Sequence, residues 1–168
     1  MKWIKRLSIT AVVFGLFLLL SFIKVSTFTI TSDGHVEDFH LYDEKQEFRI
    51  RWKHSVEKEE WEEMFELSEG SISLTGTRFK TFGAGVPSDT GDETYIKDGW
   101  VYMMGIDQNI GKILRIRTGK DTDHRVYYGK DSILPLEEKQ AYQLSVRQQS
   151  MLSAIRDYIF VETRGEHR

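Results

Sequence analysis

Leu7 to Ile23 is a run of seventeen residues without a charge, built almost wholly of Leu, Ile, Val, Phe and Ala, and whatever folds around it must leave it covered. As a helix rising about 1.5 Å per residue it would reach about 25 Å, slightly less than a hydrocarbon core of about 30 Å. Arg6 and Lys24 can carry their charges to the two interfaces, Trp3 suits the headgroup zone, and a bilayer thins locally at small cost. The expectation is a transmembrane signal-anchor over 7–23. A cleaved signal peptide shares the pattern of basic residues followed by an apolar stretch. The cleavage site argues against it, because Val25-Ser26-Thr27 is a poor substitute for Ala-x-Ala and Lys24 stands where a small neutral residue is needed. With no cysteine in the chain, a lipid anchor on cysteine is excluded.

Lys2, Lys5 and Arg6 precede the run and Lys24 follows it, so the positive-inside rule puts residues 1–6 in the cytoplasm and the chain from Val25 onward outside the cell membrane. All acidic residues lie beyond Lys24. Leaving out four of the 23 basic residues sets 19 against 26 acids outside, a net of −7. Such a surface repels nucleic acid phosphates, and no nucleic acid partner is expected. The absence of cysteine also removes disulfides, thiolate zinc sites and cysteine nucleophiles. The exported part must therefore rely on a single hydrophobic core, for which its length suffices.

The sequence divides into a connector over 24–35, one extracytoplasmic domain over 36–160 and a tail over 161–168. Short segments of alternating character separated by Gly, Asp and Lys mark the domain as mainly β, an antiparallel β-sandwich or open barrel. Phe48, Ile50, Trp52, His54 and Val56 alternate with Arg49, Arg51 and Lys53, which predicts one core face and one solvent face. Ser71 to Phe79 alternates Ile72, Leu74 and Gly76 with Ser73, Thr75 and Thr77, and Lys112 to Thr118 alternates less cleanly. Gly119-Lys120-Asp121 and Gly129-Lys130-Asp131 read as successive turns around a strand at 124–128. Glu57 to Gly70 fits two templates. As a helix it has Ser55 as N-cap and Gly70 as terminator; as a strand it puts Trp61, Glu63, Phe65 and Leu67 on one face. Local propensity favours the helix, whereas the flanking strands favour a hairpin, and the hairpin is the expectation. Met151, Leu152, Ile155, Tyr158 and Ile159 make one helical stripe, so a short C-terminal helix is expected over about 148–160.

His54-Ser55 invites a hydrolase reading, but neighbours on a strand point to opposite faces and the strained Gly-x-Ser-x-Gly turn is missing. A half-buried His54 paired with a carboxylate such as Glu63 is the simpler expectation. Asp89-Thr90-Gly91 matches the aspartic protease tripeptide, yet Pro87-Ser88 stand where an apolar strand would be, and a loop turn explains it. Phe82 to Pro87 is rich in glycine without the further glycine and helix of a dinucleotide site. Metal-ligand spacing is poor throughout, and no metal or cofactor is expected. Trp61, set among Glu57, Glu59, Glu60, Glu62 and Glu63, can cap a core edge or face a cationic or amphipathic ligand. The candidate ligand-binding set is therefore His54, Glu57, Trp61, Glu63, Gly83, Gly85 and Pro87.

Trp52-Lys53-His54-Ser55-Val56-Glu57, the acidic segment with Trp61 and Glu63, Leu74 to Phe79 leading into Phe82-Gly83-Ala84-Gly85-Val86-Pro87, and Asp98-Gly99-Trp100 together resemble a known family. It is the bacterial domain-of-unknown-function family eighteen-fifty, with the likeness running over about 36–146. Many relatives extend the loop with more glycine or proline, whereas Ser88 to Glu93 here is polar. The resemblance implies small exported or anchored proteins encoded beside fused TRAP-type permeases and their substrate-binding proteins. It carries over no catalytic or binding residues. The expected function is thus a non-enzymatic accessory or scaffold for a TRAP-type transporter, partnered by the permease or its binding protein. The alternatives are an extracytoplasmic small-ligand-binding module and, third, a hydrolase using His54 and Ser55.

Overall fold

The computed structural model describes residues 2–80, 91–129 and 132–165. Helix α1 (Lys2–Phe22) runs almost directly into strand β1 (Lys24–Ser32), so the stretch expected as a connector is ordered sheet. Then come β2 (His35–Tyr42), β3 (Gln46–Lys53), β4 (Glu60–Ser68), β5 (Ser71–Phe79), β6 (Glu93–Lys97) and β7 (Trp100–Gly111). The chain ends with β8 (Ile113–Arg117), β9 (Arg125–Tyr128), β10 (Ser132–Pro135), β11 (Ala141–Ser150) and helix α2 (Met151–Gly165). Two antiparallel sheets form, a four-stranded one in the order β2-β1-β11-β8 and a seven-stranded one in the order β10-β9-β3-β4-β5-β7-β6. The mainly β expectation holds, with a short C-terminal helix that starts and ends a few residues later than expected.

The core lies between the sheets. Phe28, Ile30, Leu144 and Val146 from the small sheet meet Phe48, Ile50, Phe65, Leu67, Ile72 and Val126 from the large one, all at most 2% exposed. Phe28 sits 4.8 Å from Phe48, which stacks at 4.8 Å on Phe65. With no cysteine to form a disulfide, burial of this core and its aromatic stack stabilises the fold.

Glu57 to Gly70 resolves as the hairpin. β3 and β4 pair with Phe48 opposite Phe65, Ile50 opposite Glu63 and Trp52 opposite Trp61, which is the facing expected of a strand. Burial of Phe65 and Leu67 outweighs the helical preference of the acidic residues. Two expectations need correction. β3 stops at Lys53, and His54 leads into a turn over 55–57 that leaves Val56 69% exposed instead of core-facing. In β5 the pairing slips between Leu74 and Gly76, and this bulge turns Thr77 and Phe79 inward where Gly76 was expected to continue the core face. A Cβ on Gly76 would come within 2.7 Å of the Met104 Sδ, so glycine is the residue that fits this close passage.

α1 forms, but among the described residues no helix is long and apolar enough to cross a membrane, and the expected transmembrane span is not supported. Its side chains from Ile9 to Phe22 stand largely exposed, with Val12 at 70% and Phe22 at 78%.

Candidate functional site

Where β3 ends and β4 begins, the hairpin faces the loop that links β8 to β9. Between them is a cleft of about 410 Å³ lined by Trp52, His54, Ser55, Trp61, Glu63, Arg117, Gly119, Thr122 and His124. The loop is held by backbone on both sides. Lys53 N–H donates to Thr122 O at 2.7 Å, Leu136 N–H to His124 O at 2.8 Å and Thr118 N–H to Gln140 O at 3.0 Å. The Thr118 hydroxyl adds a bond of 2.6 Å to Glu137 O, and the Glu138 carboxylate accepts from Asp121 N–H at 2.7 Å. These ties place one wall of the cleft relative to the other with little freedom.

The walls are aromatic. Trp52 stacks on His124 at 5.7 Å with the rings 7° apart, and on Trp61 at 5.9 Å. Trp61 in turn stacks on His54 at 5.7 Å and leans on Phe79 at 5.1 Å. The Trp61 indole donates to Thr77 Oγ1 at 2.8 Å, while that hydroxyl donates to Glu62 O at 3.0 Å. The bulge in β5 that brings Thr77 inward is therefore what fixes the Trp61 ring.

Each histidine is oriented by a local bond. His54 Nδ1 accepts the Glu57 backbone N–H at 3.3 Å, so in the neutral ring the proton is on Nε2. His54 N–H bonds Glu59 O at 2.8 Å and Lys58 N–H bonds His54 O at 3.0 Å, closing the turn that carries the ring. His124 Nδ1 lies 2.8 Å from Thr122 Oγ1, which itself bonds Gly119 O at 3.1 Å. Burial pulls the His124 imidazole below its ordinary value, with the Asp123 carboxylate opposing in part. Glu63 faces the core side of β4, and burial pushes its carboxyl above the usual carboxylate range. Burial thus favours the uncharged form of both.

Of the expected site residues, the structure brings His54, Trp61 and Glu63 together. Glu57 sits in the exposed turn and serves the site through its backbone N–H, outside the cleft lining. Gly83, Gly85 and Pro87, with Asp89 and Thr90 of the protease-like tripeptide, lie outside the described residues. The expected pairing of His54 with Glu63 is replaced by the Glu57 bond and the Trp61 stack; among the described residues no hydrogen bond joins His54 to Glu63 or Ser55. Trp52, Arg117, Thr122 and His124 were not expected at the site. Trp52 reads as core in the alternation, and nothing local in sequence connects 117–124 to 54. The only signal is the turn at Gly119-Lys120-Asp121, which marks a loop without saying what it faces. Among the described residues no group of three His, Asp or Glu side chains is placed to hold a metal ion.

The outer face of the large sheet carries a second polar cluster. Glu62, 1% exposed, accepts a hydrogen bond from Arg51 Nε at 2.7 Å and is ion-paired with Arg78 Nε at 2.8 Å and Arg49 Nη1 at 3.5 Å. The Arg78 guanidinium lies 4.4 Å over the Trp100 ring. Burial alone would raise the Glu62 carboxyl, but hydrogen bonds from Arg78 and Arg51 prevail and hold it below the usual range. Both carboxylate oxygens are occupied within the protein, so this row reads as a brace across strands.

Fold and cleft together define a two-sheet β domain with an aromatic, histidine-lined cavity of small-molecule size. Residues 48–134 match the family described as domain of unknown function (DUF1850), and the chain belongs to that family. All nine cleft-lining residues fall inside the matched segment, while both helices and strands β1, β2 and β11 lie outside it. No curated protein and no solved structure matches the chain.

Proposed function

We propose that this protein is a membrane-associated, extracytoplasmic ligand-binding module that serves as a non-enzymatic accessory to an organic-solute transporter of the TRAP type. The observation that carries the binding part is the cleft itself: four stacked rings, Trp52, His54, Trp61 and His124, around Glu63 and Arg117. Its size suits a small solute whose flat or apolar body lies along the indoles. Glu63 offers a hydrogen-bond partner that ionises when a cationic group replaces water, and Arg117 offers a donor for an anionic one. The role beside a permease rests on the family resemblance. The membrane association rests on the charge flanks of the apolar run and on the exposed apolar surface of α1. A tether raises the local concentration of the domain near a permease, so weak contacts suffice.

A thermal-shift screen of the full chain in mild detergent against organic acids and amines tests the binding reading. The expected result is a solute that stabilises the wild type and not Trp61→Ala. If every shift persists in Trp61→Ala, ligands bind elsewhere and the cleft is not the site. Co-purification from solubilised membranes tests the accessory role, which a permease that never enriches with the tagged chain would contradict.

A further inference from the structure

The large apolar side chains left exposed are concentrated at one end of the small sheet. Among the described residues α1 supplies nine of them, and α2 adds Ile155 at 38%, Tyr158 at 52%, Ile159 at 54% and Phe160 at 44%. Ile155, Tyr158 and Ile159 are spaced three and four apart, so they form one stripe along the helix. The stripe borders an apolar groove of about 360 Å³ that α2 makes with Phe39 and Leu41 of β2, and Leu41 is itself 54% exposed.

The fold puts α2 beside α1. Lys24 pairs with Ser150, and Met151 N–H donates to Ile23 O at 2.8 Å, so α2 begins level with the end of α1 and the two helices touch. The rotation of α2 is fixed by its inward residue. Asp157, 6% exposed, accepts from Arg147 Nη2 at 2.9 Å and Gln149 Nε2 at 3.2 Å on β11. With Asp157 and Ala154 turned to the domain, Ile155 and Tyr158 flank the groove beside β2 and Ile159 lies further round, toward the open side. Ser150 caps the helix through Ser153 N–H at 3.2 Å.

We propose that α2 lies in the membrane interface next to α1, with the Ile155-Tyr158-Ile159 stripe and the adjoining groove seated against lipid. The inference rests on the membrane association of α1 proposed above. The side-by-side placement of two helices that both expose apolar side chains points to lipid as the occupant. Tyr158 is an amphipathic ring of the kind favoured at headgroup level, while the guanidinium of Arg156 is held by Asp157 Oδ1 at 2.8 Å. An amphipathic helix lying flat would orient the β domain on the membrane as well as hold it there.

The chain contains no cysteine, which allows single spin labels without background. The full chain is reconstituted in vesicles of phosphatidylcholine and phosphatidylglycerol with a label at Val13→Cys in α1, Ile159→Cys in α2 or Lys97→Cys on the large sheet, and accessibility to oxygen and to a water-soluble nickel chelate is compared. The labels at 13 and 159 are expected to favour oxygen over nickel several-fold more than the label at 97. A wet label at 159 beside a lipid-exposed one at 13 overturns the placement of α2 and leaves α1 in the membrane. Labels at 13 and 159 both as wet as at 97 overturn the membrane association and this inference with it. A label at 159 shielded from both reagents and broadened by a second label shows contact with another copy of the chain, which also overturns it.

Discussion

Glu62 and Glu63 are adjacent in β4, point to opposite faces, and have their carboxyls moved in opposite directions. Glu62 is depressed by its arginine bonds, so its contribution to stability is present above the ordinary carboxylate range and is lost as pH falls through its lowered value. Glu62→Ala should cost about 3 kcal/mol in denaturant unfolding, at the low end for breaking a buried pair because Arg51 and Arg78 keep partial access to water. Glu63 is raised, so the folded state holds its proton longer than the unfolded chain does, and stability declines as pH rises from the ordinary carboxylate range through the raised value. Glu63→Gln should remove that decline and leave the protein at least as stable at neutral pH, measured as the melting temperature across a pH series. The sequence shows the acidic run but cannot distinguish these two residues. The alternation puts them on opposite faces, while the cross-strand arginines that rescue Glu62 become neighbours only through the register of β3, β4 and β5.

The elements differ in how plainly the sequence announces them, and the reason is physical. β3 and the C-terminal helix carry clean periods of two and 3.6 residues, and both are found within a few residues of expectation. β4 carries helix-favouring residues at strand spacing, and only partners on both sides decide it. The bulge that turns Thr77 and Phe79 inward has no strong local mark beyond Gly76, since it depends on how Met104 of β7 passes over that glycine. Phe65 joins the hairpin to the aromatic spine, being 2% exposed and stacked on Phe48. Phe65→Ala should therefore cost about 3–5 kcal/mol, read by chemical denaturation, with the largest loss of amide exchange protection in β3 and β4. A loss under about 1 kcal/mol would mean that the hairpin is not integral to the core.

At the scale of the whole molecule, the two sheets hold a cleft at one hairpin end, while α1 and α2 leave the small sheet side by side. Family membership could be read from residues such as His54-Ser55-Val56-Glu57 and the β class from the alternation of 48–52, but of the cleft only the side with His54, Trp61 and Glu63 could. Four of its nine lining residues come from 117–124, which meets the β3–β4 hairpin only because the loop from β8 to β9 crosses between sheets. The most direct measurement follows the tryptophan indole N–H signals of the full chain by NMR in detergent while the stabilising solute from the screen is titrated in. Binding in the cleft should move the Trp52 and Trp61 signals together and saturably, with the outer-face Trp100 signal unmoved. Saturable movement of Trp100 alone, or none at Trp52 and Trp61, would contradict a ligand seated among the stacked rings.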